Sequence, residues 1–387
     1  MHDAHRPFQF ETTPRICFGQ GMLDRLDTEA AILGKRVVIV TDRGLRDTGM
    51  PDRARTALEK GGAAVRLFDT VTADPPEAVI LAARDFLLGA RATGVLGLGG
   101  GSSLDVAKLA AALAQSGADL AYCYGVGNLP TGRLPLMLVP TTAGTGSEVT
   151  PISIVTTGQH TKMGVVSPVL LPDMAMLDPG LTIDLPAAVT AATGIDAMVH
   201  AIEAHCSANA NNNPISRALA REALRLMGSA LERAVHVPGE LAARSDMLLG
   251  SLLAGQAFAN SPVAAVHALA YPIGGRFGVP HGLSNALVLP HVLRFNSMTA
   301  PEAYAEIARI PFPSLSGDGA ALAFAFCDAL ADLARRIRLP HRLRNVGIPQ
   351  DALAIMADDA MKQQRLLVNN PRQVTYTDAL AIYEAAW

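Results

Sequence analysis

No lysine- or arginine-rich run interrupts the 387 residues, and the formal charge is only −3. Lacking a broad basic surface, the chain has little to offer a phosphate backbone, which excludes nucleic acid as a partner. Cysteine is scarce: Cys17, Cys123, Cys206 and Cys327 lie far apart, with no C-x-x-C and no paired spacing. A zinc knuckle or disulfide framework is thereby excluded, leaving buried structural thiols in a reducing compartment as the expectation. Long apolar runs are missing too, since no stretch approaches the roughly 18 uninterrupted apolar residues of a membrane span. The opening Met1-His2-Asp3-Ala4-His5-Arg6 carries no apolar signal-peptide core. A cytoplasmic protein without a membrane partner is expected.

What is present is material for burial. Half the residues are apolar and 17% are charged, which excludes global disorder. A chain of 387 residues also exceeds the size at which one core stops growing, so two domains are expected.

The first half alternates short strand-like runs with helical patterns. Arg36-Val37-Val38-Ile39-Val40-Thr41-Asp42 reads as a strand buried on both faces, because its apolar residues are continuous. Val65–Phe68, Gly94–Gly99 and Leu134–Val139 read as further strands, with helices near 51–61, 76–90 and 104–116 between them. That cadence predicts parallel pairing and a doubly wound sheet. Beyond about residue 186 long amphipathic helices take over. From Ile215 to Val235, Ile215, Leu219, Ala223, Met227 and Leu231 share one face, opposite Arg217, Arg221, Glu222 and Arg225. The polar segment Ser207–Pro214 reads as a surface loop before that helix, 311–320 as a loop or lid, and no internal repeat is seen.

Gly99-Gly100-Gly101-Ser102-Ser103 follows the third strand and opens a helix beginning Leu104-Asp105. Three glycines without β-carbons let backbone N–H groups and the positive helix end approach a pyrophosphate. The run is neither G-x-G-x-x-G, since Ser102 stands at the last glycine position, nor a P-loop, and a tight turn without ligand is the alternative. Asp105 is assigned to the same cofactor site. A second loop, Pro140-Thr141-Thr142-Ala143-Gly144-Thr145-Gly146-Ser147-Glu148, follows the fourth strand; an ordinary mobile loop is its alternative. Asp42 ends its strand where a carboxylate can accept bonds from an adenosine ribose. It would repel a 2′-phosphate, favouring NAD over NADP, although the neighbouring Arg43 could shelter that phosphate.

The sharpest chemistry opens the helical half. Asp196 and His200 stand four apart and share one helix face, while His267 in an apolar helix and His281 in a Pro280-x-Gly282 turn add two imidazoles. One carboxylate with three imidazoles suits Fe(II) or Zn(II), although a histidine taken alone is more often a core residue bonded to a carbonyl. His2, His5, His160, His205, His236, His291 and His341 are read as ordinary histidines, with His291 as a possible neighbour of the ligands.

Together these residues resemble the iron-containing alcohol dehydrogenases, a group structurally related to glycerol dehydrogenase and dehydroquinate synthase. The likeness runs from Phe8-x-Phe10 and Phe18-Gly19-x-Gly21 through the two glycine-bearing loops to Asn370-Pro371-Arg372. It implies an N-terminal Rossmann-like domain over 1–186 and a C-terminal all-helical domain over 187–387, assembled as a homodimer or larger homo-oligomer. By position it implies that Asp196, His200, His267 and His281 bind the metal, Fe(II) with Zn(II) as the alternative. It further implies that Asp42 holds the ribose, Gly99, Gly100, Gly101 and Ser102 the pyrophosphate, and Thr141, Thr142, Thr145 and Lys162 the rest of NAD. The expected reaction is hydride transfer between nicotinamide and a small alcohol, aldehyde or ketone in a site between the two halves, with His267 and Tyr271 as catalytic residues.

Many alcohol-active members carry a histidine where this chain has Tyr271. A tyrosine there is similar to the 4-hydroxybutyrate dehydrogenase and hydroxyacid-oxoacid transhydrogenase branches, whose carboxylate-bearing substrates would need a cation such as Arg276. A lyase like dehydroquinate synthase would need several basic residues beside the ligands, where 194–205 and 262–282 supply only Arg276; a non-catalytic nucleotide-binding protein is the third alternative.

Overall fold

The computed structural model describes residues 6–158 and 161–387, with Thr161 described in its backbone alone. His2, His5 and His160 lie outside the described residues. Two compact units result: Glu11–Ile183, and Asp184–Trp387 together with the chain up to Phe10.

Among the described residues the first unit carries nine strands: β1 (Ile16–Phe18), β2 (Arg36–Asp42), β3 (Ala64–Val71), β4 (Gly94–Gly99), β5 (Gly125–Val126), β6 (Leu136–Pro140), β7 (Ile152–Thr157), β8 (Thr161–Val166) and β9 (Met174–Leu177). Its longer helices are α1 (Met50–Lys60), α2 (Glu77–Gly89) and α3 (Gly101–Ser116). Six strands form one sheet in the order β1-β9-β6-β4-β2-β3, every neighbouring pair parallel. β7 and β8 pair antiparallel beside β5 in a small second sheet.

Alternation along β2 explains the layers. Val37 and Ile39 enter one apolar cluster with Met50, Ala54 and Leu58 of α1, whereas Val38 and Val40 enter another with Ile80, Ala83 and Leu87 of α2 and Leu104 of α3. A strand buried on both faces reads as an unbroken apolar run, and each such side chain taken out of water contributes about 1.5–3 kcal/mol. At Gly97 the sheet and α3 approach so closely that a β-carbon would lie 2.6 Å from Leu138 Cδ2 and 2.8 Å from Ala107 Cβ.

The topology also fixes where a ligand can sit. β2 leads to β3 on one side, and the chain then crosses to β4 on the other, so the strand order reverses between β2 and β4. At such a switch point the carboxyl ends of neighbouring strands leave a crevice. Asp42 and Gly99 are the last residues of those two strands.

The second unit is helical: α4 (Ala187–Cys206), α5 (Pro214–His236), α6 (Leu241–Asn260), α7 (Ala265–Phe277), α8 (His281–Ser297), α9 (Pro301–Ala308), α10 (Gly319–Arg336), α11 (Leu353–Met361) and α12 (Tyr376–Ala386), with shorter turns. α4 is the central rod, buried from Gly194 through Cys206, with α5, α6 and α8 packed on it. Along α5 the buried stripe is Ser216, Ala220, Ala223, Leu224, Met227 and Leu231. Ile215, expected on that face, is 42% exposed, because the buried stripe runs through Ser216 and Ala220 and Ile215 lies about 100° round the helix from Ser216.

Two loops follow expectation with added detail, and one cysteine departs from it. Ser207–Asn213 is a loop before α5, as expected, but its asparagine amides are bonded inward. Asn209 Nδ2 donates to Asn369, Asn211 Nδ2 to the carbonyls of Gln9 and Asn260, and Asn212 Nδ2 to the carbonyls of Ala204, His205 and Ser207, so the amides satisfy orphan carbonyls at helix ends. The 311–320 segment is a pinned loop and not a free lid: Arg309 donates to the Leu315 and Gly317 carbonyls, and Phe312 packs at a tilt against Phe326 with centroids 6.0 Å apart. The four cysteines are free thiols, Cys17 half-buried and the others buried.

Candidate active site

α4 brings Asp196, His200 and Glu203 onto one buried face, a spacing of four and then three residues on a helix. His267 comes from the first turn of α7. His281 is the first residue of α8 rather than part of a turn, since Pro280 sets the extended conformation that precedes the helix. The candidate ligand atoms of Asp196, His200 and His267 lie within 4.8 Å of one another. His281 joins them, its Nε2 3.7 Å from Asp196 Oδ1, with His267 Nε2 3.8 Å from the same oxygen.

These separations suit donors that share one ion at bond lengths of about 2.0–2.2 Å. Tautomer chemistry agrees. His267 Nδ1 lies 2.6 Å from Glu203 Oε2, so the ring proton is held there and the Nε2 lone pair faces the cluster. Burial pushes the Asp196 carboxyl up, but the imidazoles of His200, His281 and His267 and a hydrogen bond from Asn285 outweigh it and hold it below its ordinary range. The donor set, with one carboxylate and three imidazoles and no thiolate, fits Fe(II) or Zn(II).

Aromatic contacts fix the ring planes. Phe258 stacks on His200 with centroids 4.3 Å apart, and His200 stacks on His267 at 4.8 Å. Tyr271 lies one turn beyond His267 on α7, its ring 6.0 Å from that of His281. The Asn370-Pro371-Arg372 motif steadies the far end of α8: Asn370 and Asn296 exchange bonds of 2.9 and 2.7 Å, and Arg372 donates to the Phe295 carbonyl. Arg276, the cation that a carboxylate substrate would need, is ion-paired with Asp359.

The remaining described histidines stand apart from this cluster. His205 faces Glu306 and Arg217, and His236 contacts the Arg336 carbonyl. His291, expected as a possible neighbour of the ligands, has its imidazole pushed down to about 4 by burial and by Arg294 and Arg342.

In the sheet unit β4 ends at Gly99 and α3 starts at Gly101, three residues earlier than the sequence suggested. Gly100 caps α3 without a side-chain hydrogen bond, leaving the N–H groups of the first turn free for an anion. Gly99 has φ +148°, and a β-carbon there would lie 2.8 Å from Ser103. A β-carbon on Gly101 would lie 2.7 Å from Thr145 Cγ2, so the two glycine-bearing loops are packed directly together. Thr141 N donates to the Gly99 carbonyl, and Thr142 flanks Gly100. Asp42 accepts from Leu45 N at 2.9 Å and from Ser103 Oγ at 3.2 Å, while Lys162 is paired with Asp74 at 2.6 Å.

Asp105, expected to touch the cofactor, is bonded inward. Its Oδ1 accepts from Ser147 Oγ at 2.6 Å and lies 3.1 Å from Lys108 Nζ, and its Oδ2 accepts from Ile154 N at 2.9 Å. Sequence reasoning missed Lys108 and Glu203. Lys108 is fully buried, three residues along α3 from Asp105, and donates to the Ser147 carbonyl at 2.9 Å. Glu203 accepts Val266 N at 2.7 Å in addition to bonding His267; a lone acid in the apolar run of α4 was the available signal.

Comparison with known proteins agrees with both units. Residues 13–179 match the family model described as iron-containing alcohol dehydrogenase, and residues 190–387 match the C-terminal model of the Fe-containing alcohol dehydrogenase family. Long-chain-alcohol dehydrogenase 1 of Geobacillus thermodenitrificans is 41% identical over 382 residues, covering 95% of this chain and 94% of the relative. The crystal structure of a 1,3-propanediol oxidoreductase superposes with a TM-score of 0.94 at 34% identity, covering 99% of this chain and 100% of the other. Sulfoacetaldehyde reductase from Bifidobacterium kashiwanohense, solved in complex with NAD+, superposes at 0.87 with 30% identity and 98% coverage of each chain.

Proposed function

As a member of the iron-containing alcohol dehydrogenase family the chain is a metal-dependent, nicotinamide-linked alcohol dehydrogenase, and we propose that Asp196, His200, His267 and His281 hold its metal ion and Tyr271 serves its proton transfer. The observation that carries this reading is the convergence of a carboxylate and three imidazoles from α4, α7 and α8. When bound, a divalent ion supplies Lewis acidity toward the alcohol or carbonyl oxygen, and nicotinamide exchanges the hydride. Fe(II) is the proposed ion, with Zn(II) the alternative that the same donors accept.

The chain's own residues do the rest. Glu203 holds the His267 ring and its Nδ1 proton, so that Nε2 remains a donor. Phe258 covers one face of His200 and keeps water from it. Tyr271, beside His281, holds the reaction's proton at its phenolic oxygen. In the sheet unit the Gly99–Ser102 turn and the α3 N-terminus receive the pyrophosphate, Thr141, Thr142, Thr145 and Lys162 line the rest of the dinucleotide, and Asp105 acts through the segment it ties down. Asp42 selects NAD, since a second negative charge beside its carboxylate would be repelled.

The substrate class is a small alcohol or its aldehyde. The pairing of Arg276 with Asp359 occupies the candidate cation that a carboxylate-bearing substrate would need, and this favours an uncharged one. The same reading takes the chain as a homodimer or larger assembly, supported by Ile16 and Phe18 exposed on the edge strand β1. It also takes the protein as cytoplasmic; among the described residues no helix is long and apolar enough to cross a membrane.

Anaerobic purification with elemental analysis, then turnover of short primary alcohols, 1,2-propanediol and 4-hydroxybutyrate with NAD and NADP in parallel, tests the proposal. Stoichiometric metal and NAD-linked alcohol oxidation are expected. A His200→Ala variant that has lost its ion yet keeps full activity would overturn it.

A further inference from the structure

Asn285 lies one turn along α8 from His281 and is fully buried. Its amide nitrogen is 2.6 Å from Asp196 Oδ1, 3.3 Å from His267 Nε2 and 3.4 Å from His281 Nε2. One nitrogen thus reaches donor atoms carried by three different helices. The Asp196 contact fixes which way the amide faces, because an amide oxygen 2.6 Å from a carboxylate oxygen would set lone pair against lone pair. Its own oxygen, Asn285 Oδ1, is buried with no hydrogen-bond partner.

An orphaned buried carbonyl costs about 1–3 kcal/mol. A leucine, with the same branched side-chain skeleton, would carry no such cost. The amide is therefore poorly explained as packing and well explained by its nitrogen, which presents two hydrogens to a group of atoms that are all lone-pair donors. In the metal-free protein an N–H donor among a carboxylate and two imidazole lone pairs relieves their mutual repulsion; with an ion bound, each Nε2 has spent its one lone pair, and the amide keeps its bond to the second lone pair of Asp196 Oδ1.

From this geometry we propose that Asn285 is a positioning residue for the metal. It orients the Asp196 carboxylate through a bond that a bound ion leaves intact, keeps His267 and His281 aimed at the same point in the metal-free protein, and so sets how tightly the ion is held. The proposal rests on the reading that these side chains bind a divalent ion. Glu203 acts on His267 alone and from the far side of its ring, so the two supports are separable.

The test compares wild-type protein with Asn285→Leu, both stripped of metal, by titrating Zn(II) against a fluorescent chelator and by recording the melting temperature with and without Zn(II). The leucine variant is expected to bind Zn(II) about 10–100-fold more weakly. Its Zn(II)-induced rise in melting temperature should shrink accordingly, since stabilisation by a ligand follows its affinity. A purely packing role would lower both melting temperatures together and leave their difference unchanged. A folded Asn285→Leu protein with wild-type Zn(II) affinity overturns the proposal. Should that variant fold only with metal, the Zn(II) concentration at half-maximal refolding reads the same affinity, and Asn285→Ala gives a second variant under the same criterion. Wild-type protein that takes up no Zn(II) or Fe(II) brings down the metal reading itself, and this proposal with it.

Discussion

Glu203 and His267, 64 residues apart in sequence, meet at 2.6 Å between Oε2 and Nδ1, and the other oxygen of the same carboxylate accepts Val266 N at 2.7 Å. A single acid thus fixes both the His267 ring and the backbone of the residue just before it. Glu203→Ala should lower metal affinity about 10–100-fold without altering NAD binding. Chelator competition alongside a nucleotide titration measures both; equal losses in the two would point to general unfolding instead.

Lys108 is a cation enclosed at the root of the nucleotide loops. Burial pushes its ammonium down, against the opposing pull of Asp105 and Glu148. Lys108→Met would leave Asp105 without its counter-charge and the Ser147 carbonyl without its donor, and removing one side of a buried pair costs about 3–5 kcal/mol. The expected result is a lower urea midpoint and a raised KM for NAD, with metal content unchanged.

Glu148 gives stability a pH signature. Burial raises its carboxyl to about 7 from an ordinary 4.5, with Lys108 opposing the rise. The native state therefore binds this proton more tightly than the unfolded chain does. Its stabilising contribution is full below pH 4.5 and is lost as pH climbs through about 7. Glu148→Gln should flatten the fall in stability across that interval, a difference on the order of 3 kcal/mol by the end of it. Urea unfolding at pH 5 and pH 8 reads the change; parallel slopes for the two proteins would refute the assignment.

Asp42 carries the cofactor preference. With the carboxylate removed in Asp42→Ala, the ratio of kcat/KM for NADP to that for NAD should rise roughly tenfold or more, about 1.4 kcal/mol in relative binding. Helix capping gives a second readout, because Leu45 N loses its acceptor. An unchanged ratio would mean that the 2′ position is read elsewhere.

Strands buried on both faces were the most legible elements: Arg36–Asp42 and Gly94–Gly99 emerge with the bounds their apolar runs suggest. The start of α3 was harder, because Gly101, Ser102 and Ser103 are weak helix formers that tertiary packing nonetheless holds in the first turn. β9, Met174–Leu177, has no β-branched residue and owes its conformation to parallel neighbours on both sides. In the site, residue type and spacing exposed the four candidate ligands. Asn285, Lys108 and Glu203 stayed hidden, because an amide, a lysine or an acid in a helix reads as ordinary until its partner from a distant segment is known.

The face of α4 that bears Asp196, His200 and Glu203 puts two donors and the prop of a third on one uninterrupted spiral. Each residue of an α-helix advances the spiral by about 100°. One amino acid added or lost between Asp196 and Glu203 would swing Glu203 away from His267 while leaving every side chain chemically intact. Substitution can tune this segment; a change in its length breaks it, so insertions and deletions will be tolerated only outside those eight positions.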